Sequence, residues 1–256
     1  MSKAALLLIG SEITTGRIQD THGKRLSSLL VSRGFEIHSI SIVPDAKEID
    51  ADILRLAGVV DLLLLIGGLG PTSDDMTREA VAKAADGPLV FMEDLWKVIQ
   101  GHFRGVDPAA SNRRQAEIPQ GFEAIHNTCG TAPGFAGRIG EAALVAMPGP
   151  PRELEAMIQS FLYGYLDENF KGVPLVQTRG TAFLVPESLL EDTFEEIGRP
   201  GEIWRTQAQG HRILFEFSST ERGADILKLI RQKLGTPVIR SGEVSAAQLL
   251  SDLLAR

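Results

Sequence analysis

The segment with the most chemistry is Gly67-Gly-Leu-Gly-Pro-Thr-Ser-Asp-Asp-Met-Thr77, which follows directly on the apolar run 61–66. Glycine tolerates φ > 0 and has no side chain, so Gly67, Gly68 and Gly70 let the backbone approach a ligand closely. Thr72 and Ser73 add hydroxyl donors, and a helix starting just beyond them aims N–H groups and a positive dipole at an anion. These features read as a phosphate site. The adjacent Asp74-Asp75 would repel a diphosphate unless a hard cation such as Mg²⁺ shares carboxylate and phosphate oxygens. The plainer reading of the pair is one helix N-cap and one first-turn residue stabilised by the helix dipole. Neither GxxxxGK[ST] nor a strand-linked GxGxxG nor a GxSxG elbow occurs, so the candidate is a nucleotide or pterin phosphate site without those fingerprints.

Other segments offer polar groups. Gly10-Ser11-Glu12 opens the stretch Gly10–Gly16, where Glu12 can serve ligand hydroxyls or a metal, or simply belong to a capped connection. Asp45, after Val43-Pro44, is a ligand-facing carboxylate or a helix cap. Asn127-Thr-Cys-Gly-Thr-Ala-Pro-Gly134 supplies amides and hydroxyls at Asn127, Gly130 and Thr131, or is a turn-rich loop. Pro148-Gly149-Pro-Pro-Arg152-Glu153 opens a helix, with Arg152 either meeting a phosphate or solvated. Cys129 is the sole cysteine, which excludes an intramolecular disulfide and a cysteine-built zinc site and suggests a small packing residue. The histidines at 22, 38, 102, 126 and 211 lack metal-type spacing.

The elements that must hold these residues follow from periodicity. Continuous apolar runs at 4–9 and 61–66 read as strands buried on both faces, with 35–43 a further strand between them. Helical spacing recurs near 26–33, 49–57, 76–85 and 94–103, then from 148 to about 165, with a polar stretch at 104–114 and short strands near 123–126 and 143–146. Strands alternating with helices imply βαβ units and an α/β fold with a mostly parallel sheet. Such sheets bind ligands beyond the carboxyl ends of their strands, so the loops 10–16, 43–46 and 67–77 should converge on one crevice. After residue 170 the pattern changes to short strands at 175–184, 204–209 and 212–218, with helices at 187–196, 224–234 and 245–254. This predicts domains 1–170 and 171–256, the second a small α+β unit.

The 256 residues are 43% hydrophobic and 23% charged, ordinary globular composition. With 26 basic against 33 acidic residues the net charge is −7, and no polybasic run is present. The electrostatic term that drives nucleic-acid and anionic-membrane affinity is therefore missing at the level of the whole chain, which leaves room for a local basic patch. The apolar run 4–9 is too short to span a bilayer and lacks signal-peptide features, so cytoplasm is the expected compartment.

Taken in order, Gly10-Ser-Glu12, Asp20-Thr21, Gly67–Thr77, Asn112-Arg-Arg-Gln-Ala116 with Pro119, Asn127–Phe135 and Pro148–Glu153 resemble the amino-terminal region of the CinA competence/damage-inducible protein family. The resemblance covers about residues 4–165. It implies the three-layer molybdopterin-binding-like fold of MogA- and MoeA-type proteins, followed by a small KH-like module. It also implies divalent-metal-dependent (Mg, Co, Mn or Ni) hydrolysis of ADP-ribose to AMP and ribose 5-phosphate. Asp45 and Asp75 would be the catalytic aspartates, and Asp74 with Asp75 the metal ligands. Gly10, Ser11, Glu12, Gly67, Gly68, Gly70, Thr72, Ser73, Asn127, Gly130, Thr131 and Gly149 would bind substrate. A metal-bound or carboxylate-activated water would attack phosphorus, with base and ligand left unassigned. The alternatives are a molybdopterin-binding protein of molybdenum cofactor metabolism and a non-catalytic nucleotide-binding protein. One departure is His22, where the family pattern has asparagine. The further carboxy-terminal deamidase domain common in the family has no room in this chain, so that activity is expected to be absent. The relatives imply a homo-oligomer, a dimer in the first instance.

The KH-like label invites an RNA-binding reading, which the residues oppose. The one GXXG match after residue 170, Gly198-Arg-Pro-Gly201, contains a proline and is flanked by Glu195, Glu196 and Glu202. We expect no appreciable affinity for single-stranded RNA at physiological salt. A fluorescence-anisotropy titration giving a Kd below about 1 μM with a steep salt slope would overturn this.

Overall fold

The computed structural model describes residues 1–45, 48–103, 105–171, 176–200, 202–219, 223–235 and 238–240. The chain divides into two compact units, Met1–Gly172 and Val173–Arg256. No described helix is long and apolar enough to cross a membrane. The helix expected at 245–254 lies outside the described residues.

In the first unit, β1 (Lys3–Ile9) leads through a short α1 (Ser11–Thr14) and α2 (His22–Ser32) to β2 (Glu36–Val43). Next come α3 (Ile49–Ala57), β3 (Leu62–Ile66), α4 (Thr77–Ala84), β4 (Leu89–Phe91) and α5 (Glu93–His102). A 3-10 helix (Ala110–Ala116) runs into β5 (Glu117–Pro119), followed by β6 (Glu123–Ile125), β7 (Gly134–Ile139) and β8 (Ala142–Met147). The unit ends on α6 (Pro151–Met157), a π-helical turn (Ile158–Leu162) and α7 (Tyr163–Asn169).

The main sheet has the order β2-β1-β3-β8-β7-β6. The β1–β2, β1–β3 and β3–β8 pairs are parallel, and β7 joins β8 and β6 antiparallel. Alternate residues of the apolar runs feed two cores. On one face Ala5, Leu7, Leu63 and Leu65 pack against Ile53 of α3, Val81 of α4 and Trp96 of α5. On the other, Leu6, Leu8, Leu64 and Val145 pack against Leu26 and Leu30 of α2 and Leu154 and Leu162 of the last helical stretch. Helices on both sides make a three-layer α/β/α unit, which is why the central strands are apolar at every position. The strands β4 and β5 pair antiparallel in a small side sheet. The continuous helix expected from 148 is interrupted by the π turn, and the polar stretch 104–114 contains most of the 3-10 helix. Both features escape a 3.6-residue period.

The second unit contains β9 (Val176–Phe183), α8 (Glu187–Ile197), β10 (Ile203–Gln209), β11 (Arg212–Ser219), α9 (Gly223–Leu234) and β12 (Val238–Arg240). Its antiparallel sheet has the order β10-β11-β9-β12. The succession β-α-β-β-α-β is the split βαβ arrangement, which gives the small module implied by the resemblance a specific topology. Phe194 of α8 stacks on Phe217 with ring centroids 5.6 Å apart, and Ile226 and Ile230 of α9 join the same core. On a solvent-facing side of β9, Arg179 is held by Glu216 at 3.0 Å, so opposite charges pair there.

The element that matters most for a site is the loop from β3 to α4. Arg78, in the first turn of α4, is 1% exposed. Its Nη1 donates to Leu69 O and its Nη2 to Gly70 O, each at 2.6 Å. Thr77 completes the hold: its Oγ1 donates to Gly67 O at 2.8 Å and its N–H to Gly68 O at 3.2 Å. Four consecutive carbonyls are thereby turned toward α4. Arg114 of the 3-10 helix extends the clamp, with Nη1 donating to Thr72 O at 2.6 Å and Nη2 paired with Glu79 at 2.5 Å. Replacing Arg78 with Met strands two carbonyls, each costing about 1–3 kcal/mol. We expect Arg78→Met to lower stability by about 2–5 kcal/mol in urea denaturation, with Arg78→Lys intermediate. A loss below about 1 kcal/mol for the Met variant would refute the clamp.

Candidate functional site

Because β2, β1, β3 and β8 run parallel, their carboxyl ends share one edge of the sheet, and the connections leaving them border a single crevice of about 640 Å³. That volume suits a nucleotide-sized ligand. Gly10 and Glu12 enter after β1, Asp45 after β2, Gly67 to Thr72 with Asp74 and Asp75 after β3, and Pro148 to Pro151 after β8. The convergence expected from the sequence is thus observed.

The glycine loop is shaped by neighbours as well as by its own freedom. Gly67 has φ +106°, and a Cβ there would lie 2.1 Å from Ile9 O. Gly68 has φ +66°, and its Cβ would lie 2.3 Å from Thr77 Oγ1. Gly70 is required for another reason: a Cβ would meet Asp75 Oδ2 at 2.5 Å. With the carbonyls tied to α4, the N–H groups of Gly68, Leu69 and Gly70 have no acceptor among the described residues, and all three residues line the crevice. Adjacent backbone donors left free in this way have the chemistry of an anion-binding nest.

This relocates the donors expected from the sequence. The helix begins at Thr77 with Met76 at its N-cap position, so neither Asp74 nor Asp75 caps it. The Thr77 N–H is used on Gly68 O and so does not face a ligand. Thr72 donates through both N–H (2.9 Å) and Oγ1 (2.6 Å) to Asp75 Oδ2, closing the turn 72–75. Ser73 is exposed, outside the crevice wall, and its hydroxyl meets Asp74 at 3.3 Å.

Among the described residues the charged side chains of the crevice wall are Glu12, Asp20, Asp45, Asp74, Asp75 and Glu153, and none of those residues is Lys or Arg. Several of these carboxylates are held by backbone. Asp45 Oδ2 accepts the Ser11 N–H at 2.8 Å, and Ser11 Oγ accepts the Asp45 N–H at 3.2 Å. This reciprocal pair places Ser11 beside Asp45 and outside the wall itself. Asp20 takes the N–H groups of His22 (2.8 Å) and Gly23 (3.1 Å) at the start of α2. Among the described residues no three His, Cys, Asp or Glu side chains gather as a ready-made metal site. The nearest fit for a divalent ion is the mode in which one or two carboxylates act together with phosphate oxygens.

The far wall corrects two expectations. Asn127 is buried and structural: its Oδ1 accepts the N–H groups of Cys129 and Gly130 at 2.9 Å, and its Nδ2 donates to Ala132 O and to Glu153. The Gly130 amide is therefore occupied, and neither residue lines the crevice; Gly130 instead makes room for Glu153, whose carboxylate a Cβ would meet at 2.4 Å. Thr131 does line it. Cys129 is exposed, not a packing residue, and Arg152 is exposed and absent from the wall. Gly149 lines the crevice, and its carbonyl accepts a hydrogen bond from His22 Nε2 at 2.7 Å. The histidine at the position where the family pattern has asparagine thus links α2 to the 148–151 loop.

Sequence reasoning missed Arg78, Arg114 and Gln115. Burial of the Arg78 guanidinium lowers its pKa from the ordinary arginine value, with Glu79 and Asp75 opposing that shift. The available signal was the run Asn112-Arg-Arg-Gln-Ala116, singled out without roles for its members. Arg113 lies over the Phe91 ring, 4.5 Å from its centroid, whereas Gln115 is 1% exposed and reaches the crevice.

Residues 5–168 match the family model described as "Probable molybdopterin binding domain". Over 99% of its length the chain is 30% identical to a competence-damage inducible protein of Clostridium botulinum (strain Loch Maree / Type A3), of which it spans 65%. It is also 30% identical to a Metallosphaera sedula protein, covering 93% of this chain and 95% of that one. The crystal structure of the protein CinA from Thermoplasma acidophilum, titled as of unknown function, aligns with a TM-score of 0.61 and 31% identity over 64% of this chain and 97% of its own. Family model, relatives and structure agree on the first unit, and the chain belongs to the CinA family, with a molybdopterin-binding-type domain at residues 5–168.

Proposed function

We propose that the crevice binds a small phosphorylated molecule, a pterin phosphate or a nucleotide, with a phosphate on the amides of Gly68, Leu69 and Gly70. The observation that carries this is the set of three unpartnered N–H groups facing a crevice of ligand size. Backbone amides fixed by a buried arginine need no reorganisation to receive an anion. The family's molybdopterin-binding description supports the same class of ligand. Calorimetric titration with AMP and ADP-ribose tests it. Gly68→Val and Gly70→Val, in protein whose circular dichroism matches the parent, should abolish binding. Retained affinity in both would make the loop a turn and nothing more.

A second reading, hydrolysis of a nucleotide diphosphate such as ADP-ribose to AMP and ribose 5-phosphate, is favoured by the six carboxylates that line the wall among the described residues. A diphosphate entering such a site needs added positive charge. Asp74 and Asp75 would hold a divalent cation, which supplies neutralisation of the diphosphate when bound. Asp45, steadied by Ser11, would accept the proton of an attacking water. Incubation with ADP-ribose, with and without Mg²⁺ or Co²⁺, should release AMP only with metal. Asp75→Asn should remove that activity with little change in stability, since an amide oxygen can still accept from Thr72. Equal activity in the variant at saturating metal would refute the role of Asp75. Binding without AMP release would leave a nucleotide- or pterin-phosphate-binding protein.

A further inference from the structure

Gln115 combines near-complete burial with a place in the crevice wall. Its amide has one orientation. Asn112 Nδ2 donates to Gln115 Oε1 at 2.9 Å, and Gln115 Nε2 donates to Thr131 Oγ1 at 3.3 Å. Asn112 is itself buried, so its amide fixes the acceptor end of Gln115 away from the crevice. The second Nε2 hydrogen has no acceptor among the described residues. Thr131, having accepted from Gln115, retains its own hydroxyl proton for another acceptor. Gln115 also follows Arg114, which grips Thr72 O, so this donor wall and the glycine loop are joined through adjacent residues.

Carboxylates accept and do not donate when ionised, so the crevice is chemically two-sided. Loop amides, Gln115 and Thr131 donate; Glu12 and Asp45, after β1 and β2, accept. Glu153 lies near the donor wall, but its Oε2 is engaged by Asn127 Nδ2. Resting on the reading that a phosphate occupies the crevice, we propose that Gln115 and Thr131 are phosphate-binding residues that set the direction of the ligand. Their donors meet the phosphate oxygens that the loop amides leave free, and the hydroxyl- or amino-bearing end of the ligand turns toward Glu12 and Asp45. Asn112 is a positioning residue acting through Gln115.

The test is calorimetric titration of the full chain with AMP and with inorganic phosphate, for the parent, Gln115→Glu and Thr131→Val. Gln115→Glu replaces the donor by an acceptor of the same size. Affinity for both probes should fall at least about tenfold, the effect expected for losing a hydrogen bond to a charged group. The ratio of variant to parent Kd should shrink as pH is lowered from about 8 to about 5, because protonation restores a donor to the glutamate. Thr131→Val should weaken both probes several-fold and show no such recovery. Two folded variants binding within about twofold of the parent would overturn the proposal and leave the phosphate reading standing. A Gln115→Glu loss that is independent of pH would likewise overturn it, marking a structural role. If Gln115→Glu fails to fold, unchanged binding in Thr131→Val overturns it. A parent that binds neither AMP nor phosphate removes the phosphate reading and this proposal together.

Discussion

One guanidinium, buried beneath the loop that follows β3, organises the candidate site. Arg78 is 1% exposed, and removing such a charge from water costs several kcal/mol unless hydrogen bonds replace the lost hydration. The carbonyls of Leu69 and Gly70 supply two of those bonds, while Nε has no partner. These bonds hold the loop carbonyls toward α4. Carbonyls held toward the arginine and Thr77 leave the opposite side of each peptide, and so three N–H groups, for the crevice. Glycine at 67 and 68 is the covalent condition for that geometry, since both have positive φ and crowd a neighbour closer than any Cβ allows.

Arginine stays charged despite the burial that lowers its pKa, so the crevice has positive charge behind the loop, while the described charged residues of its wall are carboxylates. The wall carboxylates are moderated similarly. Asp45 accepts from Ser11, Asp20 from the start of α2, and Asp75 from Thr72. Backbone and hydroxyl dipoles thus offset part of a formal charge of six carboxylates. The resulting surface pairs acceptor-rich and donor-rich regions within one cavity, a condition for binding a molecule that has phosphate at one end and hydroxyl or amino groups elsewhere.

The run 112–116 shows how a short motif serves several elements at once. Asn112 and Gln115 build the donor wall, Arg113 packs on Phe91 and Trp96, Arg114 grips the glycine loop, and Ala116 is fully buried in the core. A 3-10 helix brings these side chains to different sides within seven residues, and the β4–β5 pairing anchors its exit. The π-helical turn between α6 and α7 has no connection to the crevice in this arrangement.

The sequence by itself determined the layers and the location of the site. Unbroken apolar runs at 4–9 and 62–66, closed by glycine, read as strands covered on both faces, and parallel strands place their exit loops on one edge. The glycines at 67, 68 and 70 marked the close approach. Tertiary structure decided which groups face that edge, because hydrogen-bond partners distant in sequence compete for the same donors. Gly130 and Asn127 read as ligand donors in the chain, yet the Gly130 N–H is spent on Asn127 Oδ1 and the Asn127 amide on Ala132 O and Glu153; Thr72 and Ser73 are drawn to Asp75 and Asp74. Nothing in the sequence singles out Arg78, which is among the most deeply buried side chains. Three-residue strands at 89–91 and 117–119 are too short for a period of two to register. Periodicity reports which face a residue occupies relative to its own element. Only the packed chain reports which atoms wait on that face, and in this protein those atoms turn an arginine inward and three amides outward.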